Sequence, residues 1–241
     1  MTREDHNEDM AYHYAAYRPP LHRRILHQAL PLPHLFNRAL DIGCGTGRSS
    51  LALTVFAETI VGIDPSYDML AKAVKHEKIT YQYYNKARLD FPEQHFDLIT
   101  LAGVLFYAKS PQLLAEILSV AQPKASLLIY DFEVVLDEIY AQLNLSKPQS
   151  EIVYRHDDDF SDLINDSDNI ELTSKKNTTI SFSLTTSELA HLVLSSPDIY
   201  IQLNPINEAD SLYEFIKSKL YAMKIEKLQA IIYYTHYRLN I

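Results

Sequence analysis

From Arg38 onward, short apolar runs alternate with segments in which Leu, Ala, Met and Val recur every three or four positions. The runs Arg38–Ile42, Thr59–Ile63, Ile79–Tyr84, Phe96–Leu101 and Ser126–Phe132 predict strands. Between them Arg48–Val55, Tyr67–Val74 and Ser110–Ala121 carry the helical period, the last opening on Ser-Pro, an N-cap followed by a first-turn proline. Strands and helices in strict alternation predict a parallel sheet covered by helices. Past Phe132 the alternation stops: Val134–Leu145 reads as helix and Lys175–Leu184 as strand. Thr186–Leu194 and Ala209–Met223 read as helices, and Gln229–Leu239 as a final strand. This later part is expected to supply the last sheet strands and a cap over a pocket. The acidic stretch HDDDFSDLINDSDN, beginning at His156, reads as a solvated helix and loop rather than a metal or partner site.

Composition narrows the classes. With 241 residues, one α/β domain with a helical cap is expected rather than two independent domains. An apolar fraction of 47% with 22% charged residues belongs to a soluble globular chain. The longest apolar stretch, Ala125–Leu136, is broken by Asp131 and Glu133 and falls short of the roughly 20 residues of a membrane span. The polar start MTREDHNEDM has no apolar signal segment, so a cytoplasmic location is expected. The one cysteine, Cys44, excludes an internal disulfide and a structural zinc site, and no metal is expected. A net charge of -9 opposes binding to a phosphate backbone, so nucleic acid is not an expected partner.

The most informative residues are ALDIGCGTGRSS, where an apolar strand ends at Asp41 and runs into Gly43, Gly45 and Gly47 before a helix. Three of the five glycines of the chain fall here. An ordinary strand–helix turn would explain one; three at alternating positions argue for backbone that approaches a ligand. A nicotinamide fingerprint, G-x-G-x-x-G, needs glycine at position 48, where this chain has Arg48. Asp64 ends the second strand about 20 residues beyond the loop, where a carboxylate accepts the hydroxyl hydrogens of a ribose. Met69, a turn further on, is placed either against an adenine face or in the core.

Together D-I-G-C-G-T-G, G-I-D-P-S-x-x-M-L and the strand F-D-L-I-T-L resemble three successive motifs of class I S-adenosylmethionine-dependent methyltransferases. The resemblance runs from Tyr14 to Phe132. It implies a Rossmann-like, mostly parallel seven-stranded sheet of order 3-2-1-4-5-7-6, with helices on both faces and a helical cap. The stretch YHYAAYRPP is similar to the segment before the first strand in type 11 methyltransferases related to trans-aconitate methyltransferase. The implied organisation is a single domain over 1–241, with an N-terminal lid at 1–35, a cofactor-binding core at 36–133 and C-terminal strands and substrate cap at 134–241.

For S-adenosyl-L-methionine the resemblance implies Tyr14 and Arg18 at the amino-acid end, and Asp41, Gly43 and Gly45 along the methionine portion. Asp64 would take the ribose, with Met69, Asn85 and Lys86 at the adenine and Ala102 beside the methyl group. Asn85 and Lys86 depart from the acidic and small residues usual there. A sulfonium is an activated donor, so alignment and exclusion of water carry most of the catalysis. If the acceptor is a hydroxyl a base becomes useful, and His13 and Tyr107 are the motif-linked candidates. The expected acceptor is a small molecule, through a carboxyl or hydroxyl oxygen. Arg155 is the only arginine between Val134 and Met223, which argues against a tricarboxylate. The alternative is a non-catalytic S-adenosylmethionine-binding regulatory or accessory protein.

Overall fold

The computed structural model describes residues 12–13, 16–30, 35–85, 88–146, 154–165, 170–203 and 212–241. Seven strands form one sheet: β1 (Phe36–Ile42), β2 (Ala57–Asp64), β3 (Ile79–Tyr83), β4 (Phe96–Ala102), β5 (Ala121–Val134), β6 (Ile170–Ser183) and β7 (Lys227–Leu239). Their order is β3-β2-β1-β4-β5-β7-β6, the order expected from the sequence. The pairs β3–β2, β2–β1, β1–β4 and β4–β5 are parallel.

That order sets where a ligand can enter. The chain leaves β1 for β2 on one side and later returns to β4 on the other side of β1, so the crossover direction reverses between β1 and β4. In open α/β sheets the crevice at such a reversal, beyond the strands' C-terminal ends, is where ligands bind. The loops after β1, β2 and β4 all open there.

The chain divides into two compact units. One comprises 20–133, 154–178 and 232–241 and holds the glycine loop. Its helices are α1 (Leu21–Ala29), α2 (Arg48–Leu53), α3 (Tyr67–Ala71), α4 (Leu105–Ala108) and α5 (Pro111–Val120). β1 and β4 bury continuous runs such as Ala39–Ile42 and Leu98–Leu101, as strands covered on both faces must. Ile99, Leu101, Leu127 and Ile129 pack with Leu113, Leu114 and Ile117 of α5 into its core. Ser110 caps α5 by accepting from the Leu113 N–H, with Pro111 at the first turn, as the Ser-Pro pair predicts.

The other unit comprises 1–19, 134–153 and 179–231. It contains α6 (Asp137–Gln142), α7 (Thr186–Leu194), α8 (Pro197–Leu203) and α9 (Leu212–Met223), with α9 and α8 both packed on α7. A reciprocal capping box between Thr185 and Glu188 starts α7.

Several boundaries differ from expectation. α3 ends at Ala71 rather than Val74, because the Val74 N–H donates to Thr46 O and its carbonyl accepts from Tyr81 Oη. β6 begins at Ile170, five residues before the predicted start. The acidic stretch is no helix where it is described, and its middle is not solvated: Asp159 and Phe160 are buried. Among the described residues no helix is long and apolar enough to cross a membrane.

Candidate active site

The glycine loop is shaped by packing below and left open above. Gly43, Gly45 and Gly47 all have positive φ. A Cβ on Gly43 would lie 2.5 Å from Val104 Cγ1, and one on Gly47 would overlap the Tyr81 hydroxyl. These two glycines are explained by the protein's own close approach. Gly45 differs: among the described residues a Cβ there would meet nothing within 4 Å, so none of their side chains fills the space it leaves.

The two carboxylates at the strand ends have opposite surroundings. Asp41 is fully buried, and accepts from Ser49 Oγ and Ser50 Oγ at 2.6 Å each and from Thr100 Oγ1 at 2.9 Å. Burial raises its carboxyl above the usual range, against the pull of these hydroxyls, and the Asp64 charge adds to the rise. Asp41 therefore ties the end of β1 to α2 and β4. Asp64 instead takes the Gly45 N–H on Oδ2 at 2.9 Å and the Ser66 N–H on Oδ1 at 2.8 Å. Each oxygen retains a lone pair. Cys44 is buried, and desolvation followed by the charges of Asp41 and Asp64 pushes its thiol up, away from nucleophilic chemistry.

A cavity of about 380 Å³ opens over the loop, within the range of small-molecule sites. Ile42 and Gly43 wall it after β1, Asp64 and Pro65 after β2, Tyr84 after β3, and Val104 and Tyr107 after β4. Its far side reaches Ser110, Gln112 and Glu116.

Of the residues named from the sequence, Gly43, Asp64 and Tyr107 thus share one cavity wall. Gly45 is hydrogen-bonded to Asp64. Met69 lies on α3, 42% exposed, and Asn85 follows β3. Ala102 ends β4 in register with Tyr130. Tyr14 and Lys86 lie outside the described residues. Arg18 and His13 belong to the other unit, where His13 is buried with its Nδ1 2.9 Å from Nδ1 of His191 and its ring stacked on Tyr213.

Sequence reasoning missed Ser49, Ser50 and Thr100, although the SS pair directly follows the loop. It also missed a second polar group at the ends of β4 and β5. Asp131 Oδ2 accepts from His156 Nδ1 at 2.9 Å and from Tyr154 Oη at 3.0 Å, while Oδ1 takes the Phe132 N–H at 2.7 Å. The Tyr154 hydroxyl also lies 3.2 Å from Gly103 O. No spacing signal joins residues 103, 131, 154 and 156. Among the described residues, no cluster of three or more His, Cys, Asp or Glu side chains is placed to hold a metal.

The strand order and the helices are those of a Rossmann-like fold, shared with solved methyltransferase structures. Residues 39–124, from β1 through α5, match the family model described as a methyltransferase domain. The chain is 27% identical over 94 residues to a Dictyostelium discoideum protein named as a methyltransferase, and 26% identical over 127 residues to the uncharacterized methyltransferase YcgJ of Bacillus subtilis. These matches cover 39% and 48% of this chain, and only 36% and 50% of those relatives. A structure from Anaeromyxobacter dehalogenans, named as a type II methyltransferase, superposes with a TM-score of 0.63 over 92% of this chain and 97% of its own. At 18% identity that likeness concerns the fold.

Proposed function

We propose that the protein is a methyltransferase that takes S-adenosyl-L-methionine in the cavity over the glycine loop and methylates a small molecule. One observation carries the reading: at the reversal of the sheet, unclaimed space beside Gly45 adjoins a buried carboxylate, Asp64, with lone pairs to spare. The residues fit the cofactor. The Gly43–Gly45 backbone suits the methionine portion and Asp64 the ribose hydroxyls, while Tyr84 and Asn85 follow β3 on the adenine side. Asp41 acts through the loop it anchors, since its oxygens are held by hydroxyls. Arg18 and Lys86 are supported by the sequence resemblance alone, as is the finer likeness to type 11 enzymes.

When bound, the cofactor supplies an electrophilic methyl on a positively charged sulfur. The chain's part is to orient the two reactants and exclude water, which is worth up to roughly 7–11 kcal/mol in favourable systems. The net charge of -9 supports a small-molecule acceptor in place of nucleic acid, and a cytoplasmic setting agrees with the composition.

Calorimetry with S-adenosylhomocysteine tests the reading. The wild type is expected to bind, and Asp64→Ala to lose about 1–3 kcal/mol, roughly 5- to 150-fold in affinity. No binding by the wild type would end the proposal. Binding without transfer of labelled methyl to any small molecule would favour a regulatory S-adenosylmethionine-binding protein instead.

A further inference from the structure

A narrow cleft of about 10 Å³, room for one water-sized group, lies at the ends of β4 and β5, lined by Gly103, Val104 and Phe106 on one side and by Asp131, Tyr154 and His156 on the other. Val104 also walls the cavity over the glycine loop, so one side chain borders both spaces. His156 in turn borders a third cavity of about 260 Å³, between Tyr130 of β5, Tyr233 of β7 and Lys175 and Lys176 of β6. All of these residues belong to the unit that holds the glycine loop.

The histidine is held as a proton acceptor must be. Its Nδ1 meets Asp131 Oδ2, which fixes the neutral ring with the proton on Nδ1 and the lone pair on Nε2. Tyr233 stacks on the ring, with centroids 5.6 Å apart and planes at 11°. Asp131 accepts from His156 and Tyr154 on Oδ2 and from the Phe132 N–H on Oδ1. The histidine side chain is 26% exposed, the aspartate 17%.

Resting on the methyltransferase reading above, we infer that His156 is the general base of the reaction, positioned by Asp131, and that the acceptor is a hydroxyl group on a small molecule. The hydroxyl oxygen's lone pair forms the new O–CH₃ bond as the C–S bond breaks, its electron pair staying on sulfur as the neutral thioether. The hydroxyl proton passes to His156 Nε2. The acid groups around the ring select against a carboxylate acceptor, which needs no base and would face Asp131, Glu133 and Asp157.

The same groups set the titration. Burial disfavours imidazolium, but the hydrogen bond and charge of Asp131, joined by Glu133 and Asp157, outweigh it and raise the pKa. Arg155 on the same loop is paired with Asp157 at 3.8 Å, and Lys175 with Asp159 at 2.8 Å, so neither cation acts unopposed; Lys176 lines the far wall of the larger cavity.

The test joins three measurements on the full chain. S-adenosylhomocysteine should bind wild type, His156→Gln and Asp131→Asn alike; failure in the wild type alone would overturn the functional reading, and this inference with it. In ¹³C-resolved NMR the Cε1–H of His156 should titrate above the ordinary histidine range in the wild type and lower in Asp131→Asn; coincident curves would overturn the pair. Transfer of labelled methyl from S-adenosylmethionine into the low-molecular-weight fraction of a cell extract should fall about 10²–10⁴-fold in His156→Gln. Its rising pH limb should move to lower pH in Asp131→Asn, which a merely structural aspartate would not cause. An undiminished rate in His156→Gln, an N-methyl product, or base-labile release of labelled methanol would each overturn the assignment.

Discussion

The ends of β1 and β2 and the ends of β4 and β5 solve the problem of a polar site in a buried sheet in different ways. At the first, the polar groups are backbone. The Gly45 and Ser66 N–H groups turn toward one carboxylate, Asp64, and the neighbouring Asp41 is held by three hydroxyls within ten residues of the loop or on the adjacent strand. At the second, the polar groups are side chains drawn from separate elements: Asp131 on β5, and Tyr154 and His156 on a loop more than twenty residues later. A backbone site suits a ligand of fixed shape, because any residue that keeps the φ angles keeps the site. A side-chain site is tuned residue by residue and suits the partner that varies. On the proposed function, cofactor and acceptor divide in that way.

Breaking the backbone site should cost most. Gly47 and Gly62 both make room for Tyr81, whose ring would lie 2.9 Å from a Cβ on Gly62 and whose hydroxyl donates to Val74 O. Gly47→Ala combines left-handed strain at φ 78° with overlap of that pinned ring. About 2–5 kcal/mol of unfolding free energy should be lost, measured by urea denaturation. A loss below about 1 kcal/mol would mean that the loop and Tyr81 move together freely.

Asp41→Ala should cost less, about 1–3 kcal/mol, by leaving the buried hydroxyls of Ser49, Ser50 and Thr100 without their acceptor. Asp41→Asn keeps an acceptor oxygen and should recover part of the loss. Unchanged stability in Asp41→Ala would refute the anchoring role and return Asp41 to a direct part in ligand binding.

The two regions were also unequally legible. Strands β1, β4 and β5 announced themselves because buried parallel strands are continuous apolar runs, and the glycine loop because its residues are contiguous. The order 3-2-1-4-5-7-6 came through the resemblance those motifs carry. What depended on distant partners stayed hidden. β6 is a largely exposed edge strand, with Leu172 53% exposed, and its first five residues offer only two apolar positions, beside the acidic run. Asp159 looked solvated because its partners lie 16 and 76 residues away: Lys175 at 2.8 Å and Thr235 at 3.2 Å. Against burial, Lys175 and the nearby Ser161 hold its carboxyl down to about 2. His156 falls in the same acidic run, whereas the motifs point to His13, which faces His191, and to Tyr107, which is 75% exposed.

The smallest effect should come from Asp131→Asn, and its dependence on pH sharpens the contrast. The folded pKa of His156 lies above its unfolded value of about 6.5, so the folded chain binds that proton more tightly. The resulting stability is fully present below the unfolded value, and is lost as pH rises through the folded one. Removing the Asp131 charge removes most of this increment. Wild type and Asp131→Asn should therefore differ most near pH 6, and converge toward the pH at which His156 is neutral in both. A partly exposed pair of this kind should contribute about 1 kcal/mol or less. Urea midpoints collected across this interval test the point, and a wild-type advantage that stayed constant with pH would show that Asp131 acts through Tyr154 and the Phe132 N–H alone, leaving His156 outside the site.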